Sequence, residues 1–423
     1  MRTNRWWRAA FVLANLQVIK RWGVMASAIG LFCISLGAHE EPSAPANPSG
    51  RSSRLFLRWR LGCGPIPGAG IFLRAGAKPS PKRHTGGHEM KLLDHLPLGN
   101  VADVWVEGNF VYVAGRGNGV HIIDAHNPAR LQRVAHLKRE QTGFCQDVKV
   151  SGGLLYATNE SSAFGAAVTI WDVGQPSRPV LLGKVALPYL TRAHNVFIAG
   201  NILYCAGNQA GAIHVIDVGN PAAPRELARM RPAQGMVHDM TIVNGRCFGA
   251  FLHGGFMVAD VSSPGKPIIR GGRSYTGAFT HNGWPTSDGR YLLTTDEVRG
   301  GHLRVWDISR LSAIRQVGAY RPDESAIIHN VIVRGRLAYI SYYELGVKVV
   351  DVSKPKKLKE IGFYDTHPGE TTGSMNGCWG VCPSPLNPAV VFATDRSRGL
   401  FALELQGEED HEHPGGEEAA GDE

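Results

Sequence analysis

The stretch IHVIDVGNP, residues 213–221, reads as a short apolar strand that ends at Asp217 and turns at Pro221. Alternating apolar residues running into Asp, Gly and Pro mark a strand followed by a tight turn. The phrase returns as VHIIDAHNP (120–128), VTIWDVGQP (168–176), FMVADVSSP (256–264), LRVWDISRL (303–311) and VKVVDVSKP (347–355). Its aspartates are Asp124, Asp172, Asp217, Asp260, Asp307 and Asp351, spaced by 48, 45, 43, 47 and 44 residues. A period of about 45 residues with several short strands per unit predicts β-propeller blades.

Each unit reads as four strands. In the third they are NVFIAG, ILYCAG, AIHVIDV and PRELARM, between residues 195 and 230. The aspartate carboxylate is placed to accept backbone N–H bonds in the turn, and the proline fixes φ there. A seventh unit, WGVCPSPLNPAVVFATDRSRGLFALEL (379–405), supplies three strands and no fourth. At the other end MKLLDHLPL (90–98) belongs to no unit and resembles the fourth strands KKLKEIGFY (356–364) and RPVLLGKVA (178–186). The expectation is one all-β domain over residues 90–405, a seven-bladed propeller of four-stranded blades. Residues 90–98 complete the last blade, close the ring and leave no open sheet edge.

Four units carry a histidine and an amide or acid just before the first strand: His194-Asn195, His238-Asp239, His281-Asn282 and His329-Asn330. These histidines stand 23, 22, 26 and 22 residues before their turn aspartates. Equivalent positions on adjacent blades gather around one mouth of the central channel. The second position is the more regular one, with Asp103 and Asp147 in the first two units, where Ala102 and Gln146 replace the histidine. Side chains alternate along a strand, so the two series point to different sides. The Asp/Asn series is expected to bond backbone in its own or the adjoining blade. Loops on the same face add Glu160, His253, Asp296, Glu297, Tyr342, Tyr343 and Glu344, with Trp284 and Trp379 near the rim. The channel-face binding candidates are His194, His238, His281, His329, Asn195, Asp239, Asn282, Asn330, Glu297, Tyr343, Glu344, Trp284 and Trp379. Imidazoles backed by carboxylates also suit a transition metal, with His194, His238, His281 and His329 as ligands and iron, copper or zinc as the ion. No local ligand motif such as HExxH, no GxSxG elbow and no P-loop is present.

Charge is uneven. Residues 1–89 hold 13 Lys or Arg and 3 acids; residues 90–423 hold 32 and 33. Residues 90–423 taken together carry no basic excess, which argues against nucleic acid as a partner. Within the arm, MRTNRWWR precedes the apolar run WGVMASAIGLFCISLGAH (22–39). Residues 1–39 read as a signal peptide or membrane anchor, and residues 40–89 as a disordered basic linker. Residues 406–423 hold eight acids and no base and read as a disordered acidic tail. His411 and His413 in it could take up metal loosely. The seven cysteines are Cys33, Cys63, Cys145, Cys205, Cys247, Cys378 and Cys382. They form no CxxC pair and a weak disulfide framework. Cys205 and Cys247 fall in apolar strands as small hydrophobes, and Cys378 and Cys382 flank a loop they could bridge.

The phrases GVKVVDVSKPKKLKEIGFYDT, GAIHVIDVGNPAAPRELARM and AVTIWDVGQPSRPVLLGKV resemble LVIVD repeats. Together with LLDHLPLGNVADVW, HNGWPTSDGRYLLTTDE and NGCWGVCPSPLNPAVVFATDRSRGLFAL, they are similar to the bacterial choice-of-anchor B proteins, across residues 90–405. That resemblance implies an extracytoplasmic propeller, periplasmic or secreted, and brings no settled activity. The sorting tail or anchor of that group is replaced here by acids. Two readings follow. In the first, a monomeric binding or scaffold protein holds an envelope or extracellular protein, peptide or glycan on its histidine-rich face, touching membrane only through an uncleaved N-terminal segment. In the second, a metal-dependent oxidoreductase or hydrolase carries its metal on the axis, with Glu297 or Glu344 as supporting group or base.

Overall fold

The structure is a computed structural model that describes residues 86–207, 211–232 and 235–406. The leader or anchor, the linker up to residue 85, Cys33, Cys63 and the tail beyond residue 406 lie outside the described residues.

Seven sheets follow one another along the chain. Blade one is Val104–Glu107, Phe110–Gly115, Gly119–Asp124 and Gln132–Leu137, and blades two to six repeat that order from Val148 to Tyr364. Each sheet is a meander of antiparallel neighbours. Blade seven takes Cys378–Pro383, Val390–Asp395 and Gly399–Glu404 from the C-terminal side. Its fourth strand is Lys91–Leu96, antiparallel to the last, with Lys91 opposite Glu404 and Leu96 opposite Leu400. The ring thus closes as the unassigned MKLLDHLPL predicted.

The fourth strands share a feature that the sequence did not reveal. Each carries a register shift against the third strand, at Ile122/Ile123 in blade one, Val215/Ile216 in blade three and Val349/Val350 in blade six. The closing strand has the same irregularity between Leu92 and Asp94. A bulge increases local twist, which suits the steep outer strand of a blade. The six turn aspartates do what was expected of them. Each carboxylate accepts the backbone N–H two residues on, at 2.9 Å for Asp124 and Asp217, 2.8 Å for Asp172 and Asp351, and 3.1 Å for Asp260 and Asp307.

Residues 88 and 89 correct one expectation. They fall in the stretch read as linker, yet His88–Glu89 pairs in parallel with Gly362 and Phe363 on the outer edge of blade six. The chain then crosses through buried Met90 into blade seven, so one N-terminal segment clasps two blades. Apolar side chains fill the spaces between neighbouring blades; Tyr204, Met240, Cys247 and Met257 pack between blades three and four. Cys378 and Cys382 flank no loop: both lie in the strand Cys378–Pro383, free and buried like Cys145, Cys205 and Cys247, and no bridge joins them.

Candidate functional site

Where first strands begin, side chains meet at the axis in tiers. The upper tier is an arc of four imidazoles. Ring centroids are 4.2 Å apart for His194 and His238, 4.1 Å for His238 and His281, and 4.2 Å for His281 and His329. The arc continues to Trp379 in blade seven, 4.5 Å from His329. His281 and His329 are buried, while His194 and His238 are partly open.

The middle tier holds Asp103, Asp147, Asn195, Asp239, Asn282 and Asn330, and it binds blade to blade. Asp147 accepts the N–H of Val196 at 2.9 Å, and Asn282 accepts that of Val331 at 3.1 Å. Asn282 also donates to Asp239 at 2.9 Å. Blade seven has Gly380 at this level because Asp103 fills the seat: a Cβ there would lie 2.7 Å from Asp103 Oδ1. Hydroxyls at the ends of second strands add a further stitch. Thr295 donates to the carbonyl of His329 at 2.6 Å, Ser341 to that of Trp379 at 2.7 Å, and Thr394 to that of Ala102 at 2.5 Å. The last bond joins blade seven to blade one.

Below lies an apolar tier of Trp105, Phe197, Trp284 and Ile332, into which Lys149 rises. Its ammonium is 3.2 Å from Asp103, bonds Asp147, and stands 5.0 Å from the Trp105 ring. Two spaces on the axis, one beside the histidines and one beneath, measure about 20 Å³ each. Either has room for about one water. A hollow of about 190 Å³ lies elsewhere, between blades one and seven among Asn109, Pro128, Leu386 and Phe392, and its ionisable lining residue is His126.

The loops after the second strands bring Glu160, Glu297 and Tyr343 to the histidines. Glu160 accepts from His194 Nδ1 at 2.6 Å and from Gln146 at 2.9 Å. Glu297 accepts from Tyr343 Oη at 2.5 Å and lies 3.6 Å from His281 and 3.8 Å from His329. Arg116 and Arg396 flank Trp379, their guanidinium carbons 5.4 and 5.1 Å from its ring.

Loss of water sets the protonation of this tier. It drives His238 and His281 well below the ordinary histidine range and His329 to about 3. Burial alone would lower His194 too, but the hydrogen bond and charge of Glu160, together with the charges of Asp239 and Asp147, outweigh it and raise it. Burial lifts Glu297 to about 7 and Asp239 to about 6. Burial also lifts Asp147, while at Asp103 burial is outweighed by Lys149 together with hydrogen bonds from Asp147 and the Val104 backbone, which hold it low. One carboxylate of that pair thus stays ionised against the lysine.

The structure brings together His194, His238, His281, His329, Glu297, Tyr343 and Trp379, with Asn195, Asp239, Asn282 and Asn330 beneath. It places two other candidates apart. Trp284 belongs to the lower tier, packed 6.0 Å from Phe197. Glu344 turns into the 372–374 loop, accepting the N–H groups of Thr372, Gly373 and Ser374 at 2.9, 2.8 and 3.1 Å. Asp296 likewise serves the scaffold, bonded by Tyr275 and Arg304. Residue reading missed Lys149, Arg116 and Arg396. Lys149 had a signal, since DVKV puts a charge two residues after Asp147 on the same side of a strand. The arginines had one too: each follows its second strand as Glu160 and Glu297 follow theirs.

With this geometry in hand, comparison with known proteins adds a repeat family. The LVIVD repeat matches residues 98–135, 142–186, 192–231 and 328–366, which are blades one, two, three and six. The chain carries LVIVD repeats. No curated protein matches it. Among solved structures, a protein from Lactobacillus plantarum is 16% identical with a TM-score of 0.56, over 73% of this chain and 94% of that one. The WD40 repeats of RRP9 are 11% identical with a TM-score of 0.59, over 75% of this chain and 98% of that one. At such identities these likenesses concern the fold alone.

Proposed function

We propose that this propeller is a binding protein that holds an acidic segment of a partner protein or peptide on its histidine-bearing face. One observation carries the reading: half-buried Trp379 stands between Arg116 and Arg396 above an axis too narrow for an organic ligand. Trp and Arg are the side chains enriched at binding hot spots. Arg116 Nε is buried and makes no hydrogen bond among the described residues, which leaves a donor that a carboxylate suits. The repeats themselves, residues 90–405, hold 32 Lys or Arg against 25 Asp or Glu, a positive balance that suits an acidic partner. The leader-like reading of residues 1–39 puts the protein in the periplasm or outside the cell, and fractionation with cytosolic markers would refute that placement.

The test is a peptide array probed with purified protein. Acidic peptides should bind. The double variant Arg116→Ala/Arg396→Ala and the variant Trp379→Ala should each lose at least tenfold in affinity. Asp172→Ala, in a turn on the opposite face, should bind as wild type. Affinity that survives all three mouth substitutions, or an array with no acidic binder, overturns the proposal.

A further inference from the structure

The histidine arc has a second property, which goes beyond peptide binding. One ligand atom from each of His194, His238 and His281 lies within 4.8 Å of the others, and the same holds for His281, Glu297 and His329. His281 belongs to both sets. We infer that this mouth is a binding site for one divalent transition-metal ion, with His281 as the shared donor and either the His194/His238 pair or the His329/Glu297 pair completing its set.

The hydrogen bonds support that assignment. The carbonyl of Trp379 can only accept, so the 2.5 Å contact gives His329 Nδ1 the proton and leaves the Nε2 lone pair bare. Among the described residues, that Nε2 has no hydrogen-bond partner, nor do Nδ1 of His238 and Nδ1 of His281, although all three atoms are buried. Buried polar atoms without partners are uncommon, and three in one cluster ask for an occupant. Glu160 holds His194 by Nδ1 and leaves its other nitrogen available. Tyr343 orients the Glu297 carboxylate. Metal-bound histidines ordinarily give their second nitrogen to a carboxylate or backbone carbonyl, as His194 and His329 do here.

Size and chemistry agree. The space beside His194, His281 and His329 is about 20 Å³, enough for an ion or a water. Zinc–nitrogen bonds of about 2.0–2.1 Å put tetrahedral ligands about 3.3 Å apart, so within either set, whose donors lie within 4.8 Å of one another, they need to close by at most about 1.5 Å. Imidazoles with one carboxylate suit zinc, copper, iron or cobalt over calcium or magnesium.

The experiment uses the full chain, stripped with chelator and titrated with Zn²⁺ and, separately, Co²⁺. One equivalent of zinc should survive desalting and raise the melting temperature, and cobalt should give visible d–d absorption. His281→Ala should lower zinc affinity at least tenfold while keeping the circular dichroism of the apo protein. If that variant does not fold, His238→Ala, at a partly open position, supplies the same comparison. The variant His411→Ala/His413→Ala should keep its metal, because the tail is not the site. The inference fails if neither ion is retained. It also fails if retention survives loss of His281 and His238, or disappears with the two tail histidines.

Discussion

Lys149 shows what one residue does at the axis. Two carboxylates, Asp103 and Asp147, face each other there, and its ammonium bonds both. Removing one partner of a buried ion pair leaves charge uncompensated and costs about 3–5 kcal/mol. Lys149→Met should lose about that much stability at pH 7 in urea unfolding. The loss should shrink as pH falls, because the abandoned carboxylates then take up protons. A deficit that is the same at pH 4 and pH 7 would sink this account. Gly380 makes the complementary point. Gly380→Ala would set a Cβ 2.7 Å from Asp103 Oδ1 and 3.0 Å from the backbone nitrogen of Val104. Overpacking of this kind costs about 1–3 kcal/mol, to be read from the denaturant midpoint. At this scale the turn aspartates and the four histidines were legible, because each repeats at a fixed place in its unit. Gly380 was not, because its role is to be empty for a residue 277 positions earlier in the chain, Asp103.

Among the elements, blade three shows how outer strands are held. Glu226, on the fourth strand Arg225–Met230, accepts from His214 Nδ1 on the third at 2.6 Å and from Tyr189 Oη at 2.7 Å. From Arg229 it takes the Nε–H, shared between both carboxylate oxygens at 2.8 Å, and an Nη2 bond at 2.6 Å. Burial would raise its pKa, but these bonds outweigh it and hold the carboxyl at about 2, below its ordinary 4.5. A depressed acid stabilises the fold above its unfolded pKa and loses that contribution as pH falls through the folded one. The stability gap between wild type and Glu226→Gln should therefore narrow from about pH 4.5 down to about pH 2, and stay level above pH 5. Urea midpoints across that range check it. Existence and order of strands were legible here from apolar alternation and the Asp turns. The bulges were not, since inserting one residue on an outer strand leaves no mark in a six-residue apolar pattern.

The molecule as a whole depends on its closing segment. His88–Glu89 covers the edge of blade six and Lys91–Leu96 completes blade seven. A chain cut back to begin at Leu98 should leave Gly399–Glu404 as a bare edge, a template for pairing with other chains. It should melt at a lower temperature and elute as dimers or larger species by light scattering. A monomer with unchanged melting would show that the clasp is dispensable. The sequence alone determined the repeat, the blade count, the closing strand and the arc of histidines. Each of these is a local pattern copied at a regular interval, and copies in a ring must meet at its axis. Only the tertiary structure decided which copies share the channel mouth. Trp284 and Glu344 carry the same letters as functional residues but face the lower channel and a loop. Lys149, Arg116 and Arg396 became part of the site through neighbours supplied by other blades. Side-chain direction and burial depend on partners distant in the chain, and no single unit contains them.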